Sequence, residues 1–329
     1  MLKDILNIAS KSLFIRSYSA GSGTIFMLHR IGTINPKGIP EIENLKVSQE
    51  FLEKVILRLK DLNYDFISID KLKDRLKEKP QKRFAIFTFD DGYKDNFLYA
   101  YPIFKKYNIP FTLYVTNSFP NKKVILWWEV LAKLIVENTT LQVREKQYTI
   151  NKIEEKKELF KVLQKEILQN NNTYEYMNKL FPEYDLEFKK IADELCISWE
   201  ELKTLSQDSL VTIGAHTVNH FPLNILTKKQ IEEEVLNGKL ELEEKLNIKI
   251  KHFAYPFGNK STTSKREIDI VKNLGFDSCV TTRLGNIFSE HINHMEALPR
   301  VALTHSYELE LKMFLLPLIK NKFKRKVIY

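Results

Sequence analysis

The chain has 329 residues, 43% of them hydrophobic and 28% charged, and a formal net charge of +9, the balance of a soluble globular protein with ample length for a large core. Two cysteines, Cys196 and Cys279, exclude a disulfide framework and fit a reducing compartment. No stretch reaches the about 18 apolar residues needed to cross a bilayer, and the N-terminal MLKDILNIASKSLF mixes Lys3, Asp4 and Lys11 into its apolar residues, unlike a secretory signal, so a cytoplasmic protein is expected.

Short apolar runs rich in β-formers recur along the chain at Thr24–Leu28, Asp65–Ser68, Phe84–Phe89, Phe111–Val115, Leu210–Ala215, Lys251–Tyr255, Asp277–Thr281 and Arg300–Leu303. Helical patterns separate most of them, at Ser48–Leu62, Asp95–Tyr107, Thr227–Leu246, Ser264–Leu274 and Tyr307–Ile319. This alternation predicts a parallel sheet covered by helices, and seven or eight repeats favour a closed barrel, whose chemistry would sit at the C-terminal ends of the strands. Between residues 120 and 205 the rhythm changes to Lys-, Glu- and Asn-rich stretches, read as a mostly helical insertion opened by the aromatic LWWEV at Leu126–Val130. The expected organisation is therefore a barrel formed by residues 1–119, including an N-terminal helix, and 206–319, with an insertion at 120–205 and a basic tail at 320–329.

Much of the excess positive charge sits in that tail, KNKFKRKVIY, which follows an apolar helix. It offers a peripheral contact with anionic lipids at the inner face of the membrane, against the plainer reading of a solvated end; no specific nucleic-acid partner is expected.

The chemistry gathers at the strand ends. FAIFTFDDGYKDN ends a buried strand in Asp90 and Asp91, followed at once by Gly92. Two adjacent carboxylates are costly to desolvate without a cation, a proton or donors, although Asp-Asp-Gly is also an ordinary turn. GAHTVNH places His216 and His220 just past another strand, four residues apart, in a chain with 7 histidines. Two imidazoles at this spacing can face one cation if the backbone turns helically there, and a carboxylate from a second strand end would complete a three-ligand site with positions open for water and substrate. FAYPFGNKS adds a fixed turn at Pro256 and Gly258, and TIFMLHRIG delivers His29 to the same rim.

TFDDG at Thr88–Gly92, HTVNH at His216–His220 and YPFG at Tyr255–Gly258, in that order, resemble the signature of the polysaccharide deacetylase family (carbohydrate esterase family 4, NodB-like). The resemblance covers the chain from about Thr24 to Leu303, apart from the insertion. It implies a distorted (β/α)7–8 barrel and a metal-dependent hydrolase that removes an acetyl group from an N-acetylated sugar of a polysaccharide or lipid-linked glycan precursor. A deformylase or O-deacetylase using the same site, or an inactive glycan-binding module, are the alternatives. Carried over motif by motif, Asp90 would be the general base, and Asp91, His216 and His220 would hold a divalent cation, Zn²⁺ first, with Co²⁺ or Ni²⁺ as substitutes. Thr217 would brace the histidine loop, Gly92 would allow the turn, and Tyr255, Pro256 and Phe257 would wall the substrate groove, the Phe257 N–H serving as oxyanion donor.

Two positions depart from the pattern. The arginine that commonly opens the third motif is Ala254 here, and Arg300 in LPRVAL is the candidate substitute, with a structural salt bridge as the competing reading. The general acid is assigned to His29, in an N-terminal strand motif found in some relatives, in preference to His305 in VALTHS.

Overall fold

The computed structural model describes residues 18–78, 82–170, 172–305 and 308–320, together with Ser12 and Ile15. Most of the expected N-terminal helix, and the basic tail beyond Lys320, lie outside these residues. Seven parallel strands form the frame: β1 (Gly23–Leu28), β2 (Phe84–Phe89), β3 (Phe111–Val115), β4 (Val211–Ala215), β5 (His252–Ala254), β6 (Ser278–Leu284) and β7 (Leu298–Ala302). Each strand pairs with the next in sequence, and β1 pairs with both β2 and β7, so the ring closes into the expected barrel. A short strand, Asp65–Phe66, adds to the start of β2.

The strands read as nearly continuous apolar runs because both faces are covered. Alternate residues Ile25, Ile86, Tyr114, Ala254, Val280 and Leu298 meet inside the barrel. Their neighbours, such as Phe26, Phe87, Phe89, Leu113 and Phe253, pack outward under the helices. Gly214 is required here, since a Cβ would lie 2.4 Å from the Tyr114 ring. Helix α1 (Gln49–Asp61) is capped by Ser48, whose side chain accepts from the Phe51 N–H, and buries Leu52, Val55, Ile56 and Leu59.

The chain between β3 and β4 carries helices α2 (Trp127–Glu137), α3 (Ile153–Ile167), α4 (Thr173–Leu180) and α5 (Phe188–Leu195). It also carries an antiparallel hairpin, Thr140–Val143 with Lys146–Thr149, that the sequence reading did not resolve from the helices. These elements share a hydrophobic cluster with Tyr93, Phe119, Ile39 and Ile42, which seats them over the strand ends. No helix among the described residues is long and apolar enough to cross a membrane.

At the opposite end of the barrel, His252 bridges Ser278 Oγ (2.8 Å from Nδ1) and Asp70 Oδ1 (3.1 Å from Nε2), while Thr212 Oγ1 donates to Asp70 Oδ2 at 2.8 Å. This latch ties the starts of β4, β5 and β6 to the loop bearing Asp70. The His252 hydrogen bond, outweighing partial burial, lowers the Asp70 pKa to about 2 from 3.8, so its stabilisation is present above 3.8 and lost as pH falls through the folded value. With the Asp70 side chain 39% exposed, solvent screening reduces the contribution to about 1 kcal/mol. Asp70→Asn is expected to lower the unfolding free energy by about that amount at neutral pH, with the deficit shrinking on acidification. Urea unfolding from neutral pH downward checks this; a deficit independent of pH would contradict it.

Candidate active site

The loops after β1, β2, β4 and β5 bring His29, Asp90, Asp91, His216, His220 and Phe257 around one cavity of about 240 Å³. Trp127 and Trp128 of α2 and Gln164 of α3 complete it, together with Glu41 and Ile42 from the segment after β1.

Asp91 lies at the turn out of β2 with φ +81°, and Gly92 follows at φ +103°, a region glycine enters without steric cost. The turn is held by the Thr116 N–H, which donates to the Asp91 carbonyl at 3.0 Å, and by the Asp90 N–H, which donates to the Leu28 carbonyl at 3.0 Å. The two adjacent carboxylates therefore point to different partners.

Asp90 is met by Arg300 from β7 in a two-pronged ion pair, Nη1–Oδ1 at 2.7 Å and Nη2–Oδ2 at 2.6 Å. The guanidinium is fully buried and its remaining hydrogen bonds go to the Thr281 carbonyl (2.9 Å) and Thr88 Oγ1 (2.9 Å). Burial alone would raise the Asp90 pKa, but Arg300 overrides it and holds the carboxyl below its ordinary value. While position 254 on β5 carries only the small side chain of Ala254, Arg300 thus reaches Asp90 from β7. It is also a buried salt bridge, so the two sequence readings of this residue describe one contact.

Asp91 faces the histidines. Its Oδ1 is 3.4 Å from His216 Nε2 and 3.3 Å from His220 Nε2, and this buried oxygen has no hydrogen-bond partner among the described residues. One ligand atom from each of the three residues lies within 4.8 Å of the others. His216 Nδ1 is 2.7 Å from the Ala254 carbonyl, which can only accept, so the proton sits on Nδ1 and the Nε2 lone pair is turned to Asp91. An orphaned buried carboxylate oxygen facing two imidazole nitrogens is the donor set of a divalent cation, and Asp91, His216 and His220 could hold one. Against burial, which would raise it, the imidazoles hold the Asp91 carboxyl well below its ordinary pKa. The His216 pKa is raised, because the pull of Asp91 and Asp90 exceeds the lowering effect of burial.

The histidine spacing works by a different backbone route from the expected helical turn. Thr217 (φ +67°) and His220 (φ +60°) are both left-handed, and the His220 N–H donates to Thr217 Oγ1 at 3.0 Å. Glu234, on the helix Lys228–Leu246, accepts from the N–H groups of Val218 (3.1 Å) and Asn219 (2.9 Å) and so pins the loop.

His29 follows β1 directly and lines the cavity with both carboxylates. Burial lowers its pKa, against the opposing attraction of Asp91 and Asp90. His305 lies elsewhere: its Nε2 accepts from the Ser48 N–H at 3.0 Å and its ring packs 4.3 Å from Phe51, at the start of α1.

The expected groove wall needs correction at two positions. Because strand residues alternate, Ala254 points into the barrel and Tyr255 points out of it. Tyr255 is fully buried against Phe253 and donates its hydroxyl to the Glu296 carbonyl at 3.0 Å. Pro256 is likewise buried and outside the cavity lining. Phe257 alone of the three reaches the cavity, at φ +57°, with its ring 5.1 Å from that of His220. Its N–H has no hydrogen-bond partner among the described residues.

Sequence reasoning missed several residues around the site. Arg30 bridges Asp95 (3.0 Å) and Glu129 of α2 (2.8 Å), while Trp128 Nε1 donates to Tyr93 Oη at 2.8 Å, fastening α2 to the rim beside His29. Arg30 sits inside TIFMLHRIG, Asp95 inside FAIFTFDDGYKDN and Glu129 inside LWWEV, but nothing in the sequence pairs them. Glu41 also lines the cavity, with a buried Oε2 that lacks a partner.

A family model described as polysaccharide deacetylase matches residues 77–279, more than half of the chain. The chain belongs to the polysaccharide deacetylase family. YxkH of Bacillus subtilis (strain 168) is 20% identical over 276 residues, spanning 83% of this chain and 69% of that protein. Among solved structures, the Streptococcus pyogenes deacetylase PplD in complex with acetate is 20% identical, with a TM-score of 0.59 over 90% of this chain and 98% of that one. IcaB from Ammonifex degensii is 18% identical, with a TM-score of 0.56 over 87% and 94%. These structures share the deacetylase barrel with this chain.

Removing Arg300 would leave Asp90 charged, buried and unpaired. Arg300→Met is expected to cost about 3–5 kcal/mol of stability, and Asp90→Asn in the same chain to recover part of it. Urea denaturation of both variants checks this; equal stability of Arg300→Met and wild type would contradict it.

Proposed function

We propose that this protein hydrolyses the acetamide of an N-acetylated sugar in a polysaccharide or lipid-linked glycan precursor, releasing acetate and leaving a free amino sugar. The observation that carries this reading is the division of labour between adjacent carboxylates: Asp90 is held by Arg300, and Asp91 is left with an unpartnered oxygen before two imidazoles.

Asp91, His216 and His220 would hold a divalent cation such as Zn²⁺, Co²⁺ or Ni²⁺, which would supply Lewis acidity toward the acetyl carbonyl and the attacking water. Asp90, kept ionised and oriented by Arg300, takes a proton from that water as its oxygen adds to the acetyl carbon. In this reading the Phe257 N–H donates to the oxyanion that develops on the carbonyl oxygen, which its residue's place in the cavity lining supports. The C–N bond then breaks, its electron pair staying on nitrogen, and His29, as imidazolium, protonates the departing amine. An amine is a poor leaving group without this proton. Lowering of the His29 pKa by burial makes the ring a stronger donor, while the two nearby carboxylates favour its charged form.

The test is acetate release from a panel of N-acetylated glycans. Chelation is expected to abolish it and Zn²⁺, Co²⁺ or Ni²⁺ to restore it. His29→Ala is expected to lower kcat by about 10²–10⁴-fold. Acetate release unaffected by chelators, or a His29→Ala variant with the wild-type rate, would contradict the assignment.

A further inference from the structure

Arg283, near the end of β6, is a buried cation without a counter-charge. It is 9% exposed, and strand alternation sets it on the opposite face of β6 from Thr282, which lines the active-site cavity. Arg300 is met by Asp90, and Arg30 by Asp95 and Glu129, but Arg283 meets no carboxylate among the described residues. Its guanidinium donates one hydrogen bond there, from Nη2 to the Thr263 carbonyl at 2.6 Å, and its buried Nε has no partner.

Thr263 repeats the pattern: it is 0% exposed, and its Oγ1 has no hydrogen-bond partner among the described residues. The next residue, Ser264, caps the helix Lys265–Lys272, whose N-terminal end adds the positive pole of its peptide dipoles. Glu267, in the first turn of that helix, is already engaged. Its Oε2 accepts from the Ser264 N–H at 2.6 Å and its Oε1 from Arg266 Nη1 at 2.9 Å. Lys260, in the turn before Thr263, is exposed and forms no ion pair among the described residues. Burial lowers the Arg283 pKa, opposed only by the Tyr255 hydroxyl, yet a guanidinium keeps its proton at neutral pH. The charge is therefore present, and a buried charge with no partner is strongly unfavourable. Holding the Thr263 carbonyl needs one neutral donor, and that role alone accounts for neither the charge nor the unpaired hydroxyl.

We infer that Arg283 and Thr263 form a binding site for a small oxyanion, a phosphate or a carboxylate. Guanidinium N–H groups match the paired oxygens of such an anion, the Thr263 hydroxyl donates to one of them, and the helix end favours the negative charge. The depth of both residues restricts the ligand to a small free anion. The site lies behind the loop that carries Phe257: the Thr282 N–H donates to the Gly258 carbonyl at 3.1 Å, and Thr282 Oγ1 to the Phe257 carbonyl at 2.6 Å. It is thus separated by β6 from the metal ligands and is independent of the reaction proposed for them.

The experiment is thermal unfolding of the full chain with increasing inorganic phosphate or acetate, ionic strength being held constant with chloride. A ligand that binds only the folded state raises the melting temperature saturably, by about 2–4 °C once its concentration passes tenfold Kd. Wild type is expected to show this rise with at least one of the two anions. Asp91→Asn, which disables the metal site, is expected to keep it, so that binding at the metal ligands is not mistaken for binding here. Arg283→Met is expected to lose the rise. Thr263→Val, close to isosteric and able to test the site even if Arg283→Met does not fold, is expected to need about tenfold more anion for the same rise. The absence of a saturable rise in wild type, its loss in Asp91→Asn, its survival in Arg283→Met, or an equal response from Thr263→Val and wild type would overturn the proposal.

Discussion

The ion pair between Arg300 and Asp90 is the constraint on which the site depends. Two neighbouring buried carboxylates cannot both stay ionised unless each has its own counter-charge. Here the partners come from opposite directions: a guanidinium from β7 for Asp90, and for Asp91 two imidazole nitrogens from the loop after β4, a donor set that could hold a divalent cation. Closure of the barrel makes this possible, since β1 pairs with β2 on one side and β7 on the other and so sets the end of β2 two strands from Arg300. Thr88 and the Thr281 carbonyl add two further hydrogen bonds, so each of the three guanidinium nitrogens of the buried cation has an acceptor.

Backbone strain gathers at the same place. Of the ten described non-glycine residues with positive φ, four are Asp91, Thr217, His220 and Phe257. Such conformations persist only where the surroundings enforce them. The enforcing contacts are specific: Thr116 on the Asp91 carbonyl, Thr217 Oγ1 on the His220 N–H, Glu234 on the next two N–H groups of the loop, and Thr282 Oγ1 on the Phe257 carbonyl at 2.6 Å. The barrel and its helices therefore fix the backbone that carries Asp91, His216, His220 and Phe257 around the cavity.

Much of this was legible in the residues themselves. Strands buried on both faces show as apolar runs, and six-residue runs such as FAIFTF leave little ambiguity about where a strand ends and its carboxylates begin. Contacts between loops were not legible. The link from Arg30 to Glu129 and the grip of Glu234 on the histidine loop join residues distant in sequence, and no local pattern announces them. The hairpin at Thr140–Thr149 went unread because its turn passes through Arg144 at φ +53°, without the glycine or asparagine that marks such turns. Tyr255 was placed in the groove because its motif was read as a unit, whereas strand alternation sends that ring into the core and delivers Phe257.

The claim that the two carboxylates are chemically separate is tested most directly by calorimetric titration of Zn²⁺ into the Asp90→Asn and Asp91→Asn variants. The account predicts that Asp90→Asn binds one equivalent of metal with affinity close to wild type, and that Asp91→Asn loses stoichiometric binding. Loss of metal binding in both variants, or its retention in Asp91→Asn, would contradict it.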